Sequence, residues 1–499
     1  MNDLSAILVA YSPLVSVAAL GLILLVVEAF AKERLDWEIL SGSVFGVALL
    51  AAISGIVAPI DAGLVPESAT RYLAVDGGAF LSDALIALGG LLTALAAGPY
   101  LKEHGLERVE AYFLILFSSL GGMIFARADD LITLFIGLEM MSLGVYALVA
   151  LRRTSARAVE GAVKYFLLGS FGGAVLLFGS ALIYGAAGTT ELAGIRAALD
   201  AANVDEALFI LGTVMLLSGL ALKIAAAPFH SWAPDAYQGA MIPVTGFMSA
   251  VVKMAAFAAL IRVVASLYVG TSFMEPSTGL PLLFGGLALL SMLVGNLGAL
   301  RQDNIKRLLA YSGVAHAGYL LLGVASIFAN PEANTAAIYF YLFTYAAASA
   351  LVIASLISFG SRGLEAVEIG DLAGLGRRHP WLAFPMAVGM FSMLGFPPTG
   401  GFFGKLLIFR GAAEAGGLFA LLALAAITLS VVSAFYYLRV VVSLYYGEPA
   451  EGQPEAKPMA KDASLGLALA LGVLLVIALG VYPGPLVELA ASAAKGLLG

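Results

Sequence analysis

Long apolar runs separated by short polar segments recur along the whole chain. A helix needs about 20 apolar residues to cross the hydrocarbon of a bilayer, and on that rule the sequence predicts fourteen spans. The runs do not alternate with a period of two, which argues against the strands of a membrane barrel. The predicted spans are 5–29, 38–60, 77–100, 109–127, 130–150, 160–184, 207–230, 240–266, 279–300, 306–328, 334–360, 380–411, 417–446 and 464–483. We therefore predict an all-α polytopic membrane protein.

Two of these spans are interrupted by proline. The seventh contains Pro228 in "LALKIAAAPFHSW", and the twelfth contains Pro397 and Pro398 in "FSMLGFPPTGGFFGKLLIF". Proline removes a backbone donor, and at membrane depth the freed carbonyls need protein or water partners. Matched broken helices in two halves of a chain are typical of an internally repeated transporter. Ordinary proline kinks are the alternative.

Composition supports the membrane assignment. Hydrophobic residues make up 61% of the 499 residues, and the charged fraction is only 12%, against about 25% in soluble proteins. The absence of cysteine excludes disulfides, iron–sulfur clusters held by this chain and thiol catalysis. No motif for a nucleotide, flavin or haem is found, and no spacing of His, Asp and Glu resembles a metal-ligand set. The N-terminal run lacks a basic region and a cleavage site, so we read it as a retained first span.

The distribution of basic residues predicts the orientation. Loops from odd to even spans carry fifteen Lys and Arg residues, and loops on the other side carry five. Cytoplasmic loops are enriched in such residues. Both termini are therefore predicted on the non-cytoplasmic side, as an even number of spans requires.

Six basic residues fall inside predicted spans. Arg262 and Arg439 lie near span ends, where their side chains are expected to snorkel to the interface. Lys164 lies about one turn inside its span, so snorkelling and function are both open. Three lysines lie deeper and would each cost about 2.5–3.5 kcal/mol if they faced lipid; they are Lys223, Lys253 and Lys405. The sequence thus predicts a polar interior lined by other helices.

An isolated carboxylate lies at the centre of the fifth span. Glu139 in "LITLFIGLEMMSLGVYALVAL" has no charge within eight residues on either side, and such a group needs a cation, a proton or water. We expect it to pair with Lys223 or with a cation on a neighbouring chain. A permanently protonated, structural Glu139 is the alternative. Asp83 is ambiguous, and Glu28 is expected at the interface.

Two histidines are further candidates: His230 follows the first break and His316 lies in the tenth span. A lone histidine is often a packing residue, but other ionisable groups recur near these two. Lysine suits proton transfer because burial disfavours its charged form, so that it can bind and release a proton. The residues alone therefore predict a proton or cation translocator built around two broken helices.

At these same stretches the sequence resembles the antiporter-like membrane subunits of respiratory complex I, the proton-translocating NADH–quinone oxidoreductase. The motifs are "GLEMMSLGVYALVAL", "KYFLLGSFGGAVLLFG", "LALKIAAAPFHSWAPDAYQGA" and "GFPPTGGFFGKLLIF". The resemblance extends over spans 4 to 13 and implies two inverted five-helix repeats. It also implies a domain division into 1–108, a three-helix segment; 109–266 and 279–446, the two repeats; and 447–499, an inner loop and the last span.

The resemblance implies a role for each candidate. Glu139 matches the glutamate that tunes its lysine partner, and Lys223 matches the proton-loading lysine. Lys253 and His316 resemble connecting residues of a polar axis. Lys405 matches the terminal lysine, from which the proton leaves toward the outer side.

Lys164 and His230 also match positions that are ionisable in the family. Redox groups would lie in partner subunits or at their interfaces, so NADH, FMN, iron–sulfur clusters and quinone are not expected to be held by this chain. Partners would be the lipid bilayer and other membrane subunits, including homologous ones, with no nucleic acid. The expected location is the bacterial inner membrane.

Three rival functions remain open on sequence grounds. One is a subunit of a multisubunit cation/proton antiporter or of a membrane-bound hydrogenase. Another is a stand-alone secondary transporter for a small solute, which would show solute uptake by the isolated chain. The third is a membrane scaffold with purely structural lysines.

Overall fold

A computed structural model describes residues 3–31, 35–59, 62–277, 279–360, 364–449 and 462–498. Within these ranges the regular structure is helical, apart from three isolated β-bridges. Thirteen helices in the described ranges are long and apolar enough to cross a membrane. The remaining predicted span, the twelfth (380–411), is formed by two shorter helices. The predicted all-α polytopic fold is confirmed.

The N-terminal part contains one helix that lies in the interior of the bundle. Its helices are α1 Asp3–Ala10, α2 Ser12–Phe30, α3 Trp37–Val57, α4 Glu67–Thr70 and α5 Gly77–Glu103, with a 3-10 turn at Ala62–Leu64. The predicted first span is interrupted at Tyr11, between α1 and α2. Helix α5 is almost wholly buried, because the neighbouring spans surround it.

The next part contains the first broken helix. Its helices are α6 Val109–Arg127, α7 Leu131–Val149, α8 Ala156–Ala187, α9 Leu192–Asp200, α10 Glu206–Lys223, α11 Ala233–Gly239, α12 Ile242–Phe247 and α13 Lys253–Leu267. A π-helical turn at Met248–Val252 joins α12 to α13. The sequence analysis predicted no helix in the polar stretch before α10. Helix α9 forms there and buries Leu192 and Ile195 against the bundle.

The following part contains the second broken helix. Its helices are α14 Leu280–Leu300, α15 Ile305–Ala325, α16 Pro331–Ser358, α17 Leu375–Arg378, α18 Pro380–Leu394, α19 Gly400–Glu414 and α20 Gly417–Tyr446. Short 3-10 turns lie at Ser272–Met274 and Ile369–Leu372. Helix α5 packs against both α12 and α16, so it contacts both predicted repeats.

Two helices close the chain: α21 Ala463–Val481 and α22 Gly484–Leu498. Helix α22 was not predicted; it packs its small residues Ala490, Ala493 and Ala494 against the bundle. The predicted inner loop falls largely on residues 450–461, which lie outside the described residues. The same holds for five of the basic residues counted for orientation: Lys32, Arg34, Arg362, Lys457 and Lys461.

Both predicted breaks are present, and both have the same backbone turn. Ala225 and Gly395 have positive φ angles of 57° and 87°. The Ala226 N–H donates to the Ala221 carbonyl at 2.9 Å, and the Phe396 N–H donates to the Phe391 carbonyl at 2.9 Å. This left-handed turn ends a helix by satisfying its last carbonyls. Helices α10 and α18 therefore end in the same way, within the bundle.

We call one end of the bundle the basic end. It carries the C-terminus of α5 and the loops that precede α8, α15 and α18, and its cations include Lys102, Arg152, Lys306, Arg307 and Arg377. The buried ionisable residues singled out from the sequence lie between the basic end and the opposite end of the bundle.

Candidate functional site

Lys223 is the last residue of α10 and lies at the first break. Its Nζ donates to the Ser142 Oγ at 2.7 Å and to the Tyr165 hydroxyl at 3.2 Å. The rings of Tyr146 and Tyr165 lie 5.7 and 5.2 Å from the ammonium. The side chain is only 5% exposed. Neutral hydroxyls and aromatic faces thus surround a buried cation, an arrangement that tolerates either charge state.

The backbone freed by the break finds specific partners. The Leu222 carbonyl accepts a hydrogen bond from the Trp232 indole at 3.1 Å, and the Ala227 N–H donates to the Ser291 Oγ at 2.9 Å. The Trp232 ring stacks on Tyr165, with centroids 4.3 Å apart. Trp232 therefore stabilises the break and fixes the tyrosine that contacts Lys223.

Glu139 on α7 is half-buried, and its carboxylate lies against Gly173 of α8. A Cβ at this position would overlap the carboxylate oxygen, so the glycine makes room for Glu139 in this position. Among the described residues Glu139 and Lys223 form no direct ion pair; the ammonium contacts Ser142 and Tyr165 instead. Ser142 lies one helical turn from Glu139, so it stands between the two charges.

Lys253 begins α13, directly after the π-helical turn. Its Nζ donates to the Gly313 carbonyl at 2.5 Å and lies 5.4 Å from the Tyr345 ring. A Cβ on Gly313 would lie 2.7 Å from the Lys253 Nζ and 3.3 Å from the Tyr345 hydroxyl. The absence of a side chain at Gly313 therefore makes room for the ammonium.

His316 on α15 joins several tyrosines. Its Nδ1 lies 2.6 Å from the Tyr341 hydroxyl and its Nε2 lies 2.9 Å from the Tyr437 hydroxyl. Its ring lies 4.7 Å from the Tyr345 ring and 5.7 Å from the Tyr319 ring, between centroids. Tyr345 also contacts Lys253, so His316 is connected to that lysine through one aromatic ring.

Lys405 on α19 bridges the second break. Its Nζ donates to the Leu394 carbonyl at 2.7 Å and to the Ser430 Oγ at 2.9 Å, and it lies 5.1 Å from the Tyr319 ring. Because Tyr319 also contacts His316, the structure brings Lys253, His316 and Lys405 into one series. A pocket of about 680 Å³, lined mainly by apolar side chains and open to the outside of the bundle, lies beside Lys405 between α19 and α20.

Sequence reasoning missed the tyrosines. The hydroxyls and rings that connect the ionisable groups belong to Tyr146, Tyr165, Tyr319, Tyr341, Tyr345 and Tyr437. One signal was available, because Tyr341 and Tyr345 are four residues apart and share a helix face.

Within the described residues, neither Lys164 nor His230 contacts a member of this series directly. Lys164 forms ion pairs with Asp235 at 2.7 Å and Glu160 at 2.6 Å, and it is 43% exposed. Arg307 contacts the other Asp235 oxygen at 2.5 Å. Burial alone would raise the pKa of Asp235, but Lys164 and Arg307 hold it below its usual range. The Nδ1 of His230 is buried without a hydrogen-bond partner among the described residues.

Two buried ion pairs correct the sequence analysis. Arg262 was expected to snorkel, but it is 3% exposed, and its guanidinium donates to both Asp76 oxygens at 2.8 and 3.0 Å. Asp83, which was ambiguous, pairs with Arg127 at 2.6 Å, and neither side chain is exposed. Arg127, one of the five basic residues assigned by sequence to the loops of the non-cytoplasmic side, is in fact the buried last residue of α6. Arg439, by contrast, is 38% exposed.

Comparison with known proteins gives the family. The family described as "NADH:quinone oxidoreductase/Mrp antiporter, TM" matches residues 128–432. The chain belongs to this family. The matched segment contains Glu139, Lys223, Lys253, His316 and Lys405, together with both broken helices.

Relatives within the family match nearly the whole chain. The "NADH-quinone oxidoreductase subunit N 1" of Sorangium cellulosum is 45% identical over 490 residues, which cover 95% of this chain and 96% of the relative. A chain of respiratory complex I from Thermus thermophilus is 35% identical, with a TM-score of 0.79 and coverage of 96% and 99%. A chain of the Mrp complex from Dietzia sp. DQ12-45-1b shares the fold, at 24% identity and a TM-score of 0.81 over 98% and 99%.

Proposed function

We propose that this chain is the N-type antiporter-like subunit of a proton-translocating NADH–quinone oxidoreductase. Its match to a subunit N over nearly the full length of both chains supports that assignment. The observation that carries the mechanism is the series Lys253–Tyr345–His316–Tyr319–Lys405, which crosses the boundary between the predicted repeats. Electron transfer in other subunits would drive proton movement along it.

The geometry supports a role for each member. Lys223 would load a proton next to Ser142 and Tyr165, since these hydroxyls can both donate and accept hydrogen bonds. Glu139 would tune Lys223 across the intervening Ser142. Lys253 and His316 would connect the two breaks. Lys405, whose ammonium lies at the second break and beside the pocket, would release the proton toward the outer side.

Lys164 and His230 would have supporting roles near the basic end. Lys164 holds α8 to α11 through Asp235, and α8 also carries Tyr165. The proline-interrupted segments at Pro228, Pro397 and Pro398 would supply the polar backbone atoms around the two lysines.

The chain's partners are other membrane subunits, as the multisubunit complexes of its relatives indicate. We propose that NADH, FMN, the iron–sulfur clusters and quinone bind in those partners or at their interfaces. The basic end would face the cytoplasm of a bacterial inner membrane, because cytoplasmic loops are rich in Lys and Arg. Both termini would then face away from the cytoplasm.

Purification of the assembled complex tests this assignment. The chain would be tagged at its C-terminus in the native host, and the complex would be isolated in a mild detergent and reconstituted into vesicles. We expect NADH-dependent quinone reduction that acidifies one side of the membrane. A purified complex that exchanges a cation for protons without oxidising NADH would contradict the proposal and favour the antiporter alternative.

A further inference from the structure

The first break is held by a residue from the other predicted repeat. The Ala227 N–H, directly before Pro228, donates to the Ser291 Oγ at 2.9 Å. Ser291 lies on α14, which belongs to the second predicted repeat, whereas the break belongs to the first. Both Ala227 and Ser291 are 0% exposed, so water does not compete for the bond. We call this hydrogen bond the clamp.

The turn that the clamp holds is strained. Ala225 has a left-handed φ of 57°, a conformation that brings the Cβ of an L-residue too close to the following carbonyl oxygen. Gly395 takes the corresponding place at the second break, with a φ of 87°, and glycine has no Cβ to crowd. The first break therefore depends more strongly on contacts from its surroundings.

The second break has partners within its own span. The Gly401 N–H of α19 donates to the Ser392 Oγ of α18 at 3.3 Å, and both helices belong to the predicted twelfth span. The Leu394 carbonyl at this break accepts a hydrogen bond from Lys405, which is also on α19. The two breaks thus share a backbone turn but differ in where their hydrogen-bond partners come from.

Lys223 lies between partners from both predicted repeats. Its Nζ is held by Ser142 of α7 and Tyr165 of α8, in the first repeat. Four residues further along, the backbone at Ala227 is held by Ser291 of the second repeat. A movement of α14 relative to α7 and α8 would therefore change the position of the ammonium between its two hydroxyl partners.

Helix α14 also reaches the surroundings of Lys405. Its buried Asn296 donates to the Tyr319 hydroxyl at 3.2 Å and accepts from the Tyr436 hydroxyl at 3.1 Å. The Tyr319 ring lies 5.1 Å from the Lys405 Nζ. Ser291 precedes Asn296 by five residues, which is about 7.5 Å along the helix axis. One helix therefore contacts the surroundings of both lysines.

We propose that Ser291 is a positioning residue: through the clamp, α14 links the position of Lys223 to the second repeat and to the surroundings of Lys405. The link is mechanical, because the backbone amide donates its hydrogen bond without giving up its proton. This inference rests on the proposed function, in which the two lysines carry protons. It adds a connection between them that is separate from the series through His316.

The test uses the assembled complex in inverted vesicles, and the readout is the proton-pumping rate per assembled complex. Ser291→Ala removes the clamp without adding volume. Its matched control is Ser180→Ala, because that buried hydroxyl donates to the Leu176 carbonyl of its own helix. Lys223→Ala serves as the reference for a lost proton carrier.

Hydrogen–deuterium exchange shows whether the clamp is lost. In Ser291→Ala the Ala227 amide should exchange about tenfold faster, the factor expected for the loss of one hydrogen bond, and in Ser180→Ala it should match wild type. The pumping rate of Ser291→Ala should also fall about tenfold, because Lys223 shifts from its hydroxyl partners and loses a hydrogen bond to a charged group. Ser180→Ala should pump at the wild-type rate.

A second variant separates a link between repeats from simple support of a strained turn. Ala225→Gly removes the strain, and Gly395 shows that glycine fits the corresponding turn. If Ser291 did no more than support the turn, Ser291→Ala/Ala225→Gly would pump at the wild-type rate. The link predicts that this double variant pumps as slowly as Ser291→Ala, because α14 still does not hold the break.

The outcomes that overturn the inference differ in what they leave standing. Slow pumping in Lys223→Ala, combined with a wild-type rate in Ser291→Ala or in the double variant, removes the link and leaves the proposed function intact. A wild-type rate in assembled Lys223→Ala removes both. Should Ser291→Ala fail to assemble, the double variant, whose turn is free of strain, takes its place in the comparison.

Discussion

At the scale of single residues, the site depends on small groups that make room for charged ones. Gly313 admits the Lys253 ammonium, and Gly173 admits the Glu139 carboxylate. Each substituted Cβ would meet the end of a flexible side chain rather than backbone. Replacement should therefore move the charged group and leave the helices in place.

Gly313→Ala is expected to impair proton translocation in a normally assembled complex. The added methyl displaces the Lys253 ammonium from the Gly313 carbonyl, and a hydrogen bond to a charged group is worth about 1.5–3 kcal/mol. A loss of this size corresponds to a decrease in proton-pumping rate of about tenfold or more. The initial rate of vesicle acidification measures it.

Gly286→Ala is the matched control, because a Cβ at that helical position meets nothing within 4 Å. Equal pumping rates for both alanine variants would show that the position of the Lys253 ammonium does not matter.

At the scale of helices, the structure separates charges that hold elements together from charges in the proposed path. Arg262 on α13 is hydrogen-bonded to both oxygens of Asp76, the residue that caps α5. The pair ties the end of the first predicted repeat to the buried helix α5. Neither residue contacts the series from Lys253 to Lys405.

Arg262→Met is therefore expected to destabilise the protein without changing its proton yield. Removing one partner of a buried ion pair costs about 3–5 kcal/mol, so less complex should accumulate and its melting temperature should fall. The half-exposed Arg439→Met serves as the comparison and should cost much less. A normal melting temperature combined with a reduced proton yield would instead place Arg262 in the proton path.

The helices themselves could largely be predicted, for physical reasons that operate locally. Span length follows from apolar runs. The first break follows from Pro228, and the second follows from Pro397 and Pro398 with glycines on both sides. Helices α9 and α22 were missed because each is short and only one face of it is buried. The split at Tyr11 did have a local signal that the sequence analysis did not use: Pro13 lies in the first turn of α2, where proline is favoured.

The contacts of the site could be predicted only in part. Depth along a span identified Lys223, Lys253 and Lys405, because a charge in hydrocarbon is costly wherever it occurs. The partners could not be found in this way: Lys223 and Ser142 are 81 residues apart, and Arg262 and Asp76 are 186 apart. Such pairs depend on tertiary packing, which local hydropathy does not contain.

At the scale of the whole molecule, the orientation is open to a direct test. The chain contains no cysteine, so a single introduced cysteine reports its own side of the membrane. Asp3→Cys and Ser492→Cys should react with a membrane-impermeant maleimide in spheroplasts, whereas Arg153→Cys at the basic end should react only in inverted vesicles. The opposite pattern would reverse the proposed direction of proton transfer.

The central claim is that buried lysines of this chain carry protons, and Lys223→Ala tests it most directly. Donor-driven quinone reduction and proton pumping would be compared in inverted vesicles after normal assembly is confirmed, with the exposed Lys495→Ala as the control. The account predicts that pumping falls together with electron transfer or further, while the control matches wild type. Wild-type rates of both processes in fully assembled Lys223→Ala would contradict it, because the lysine would then be structural.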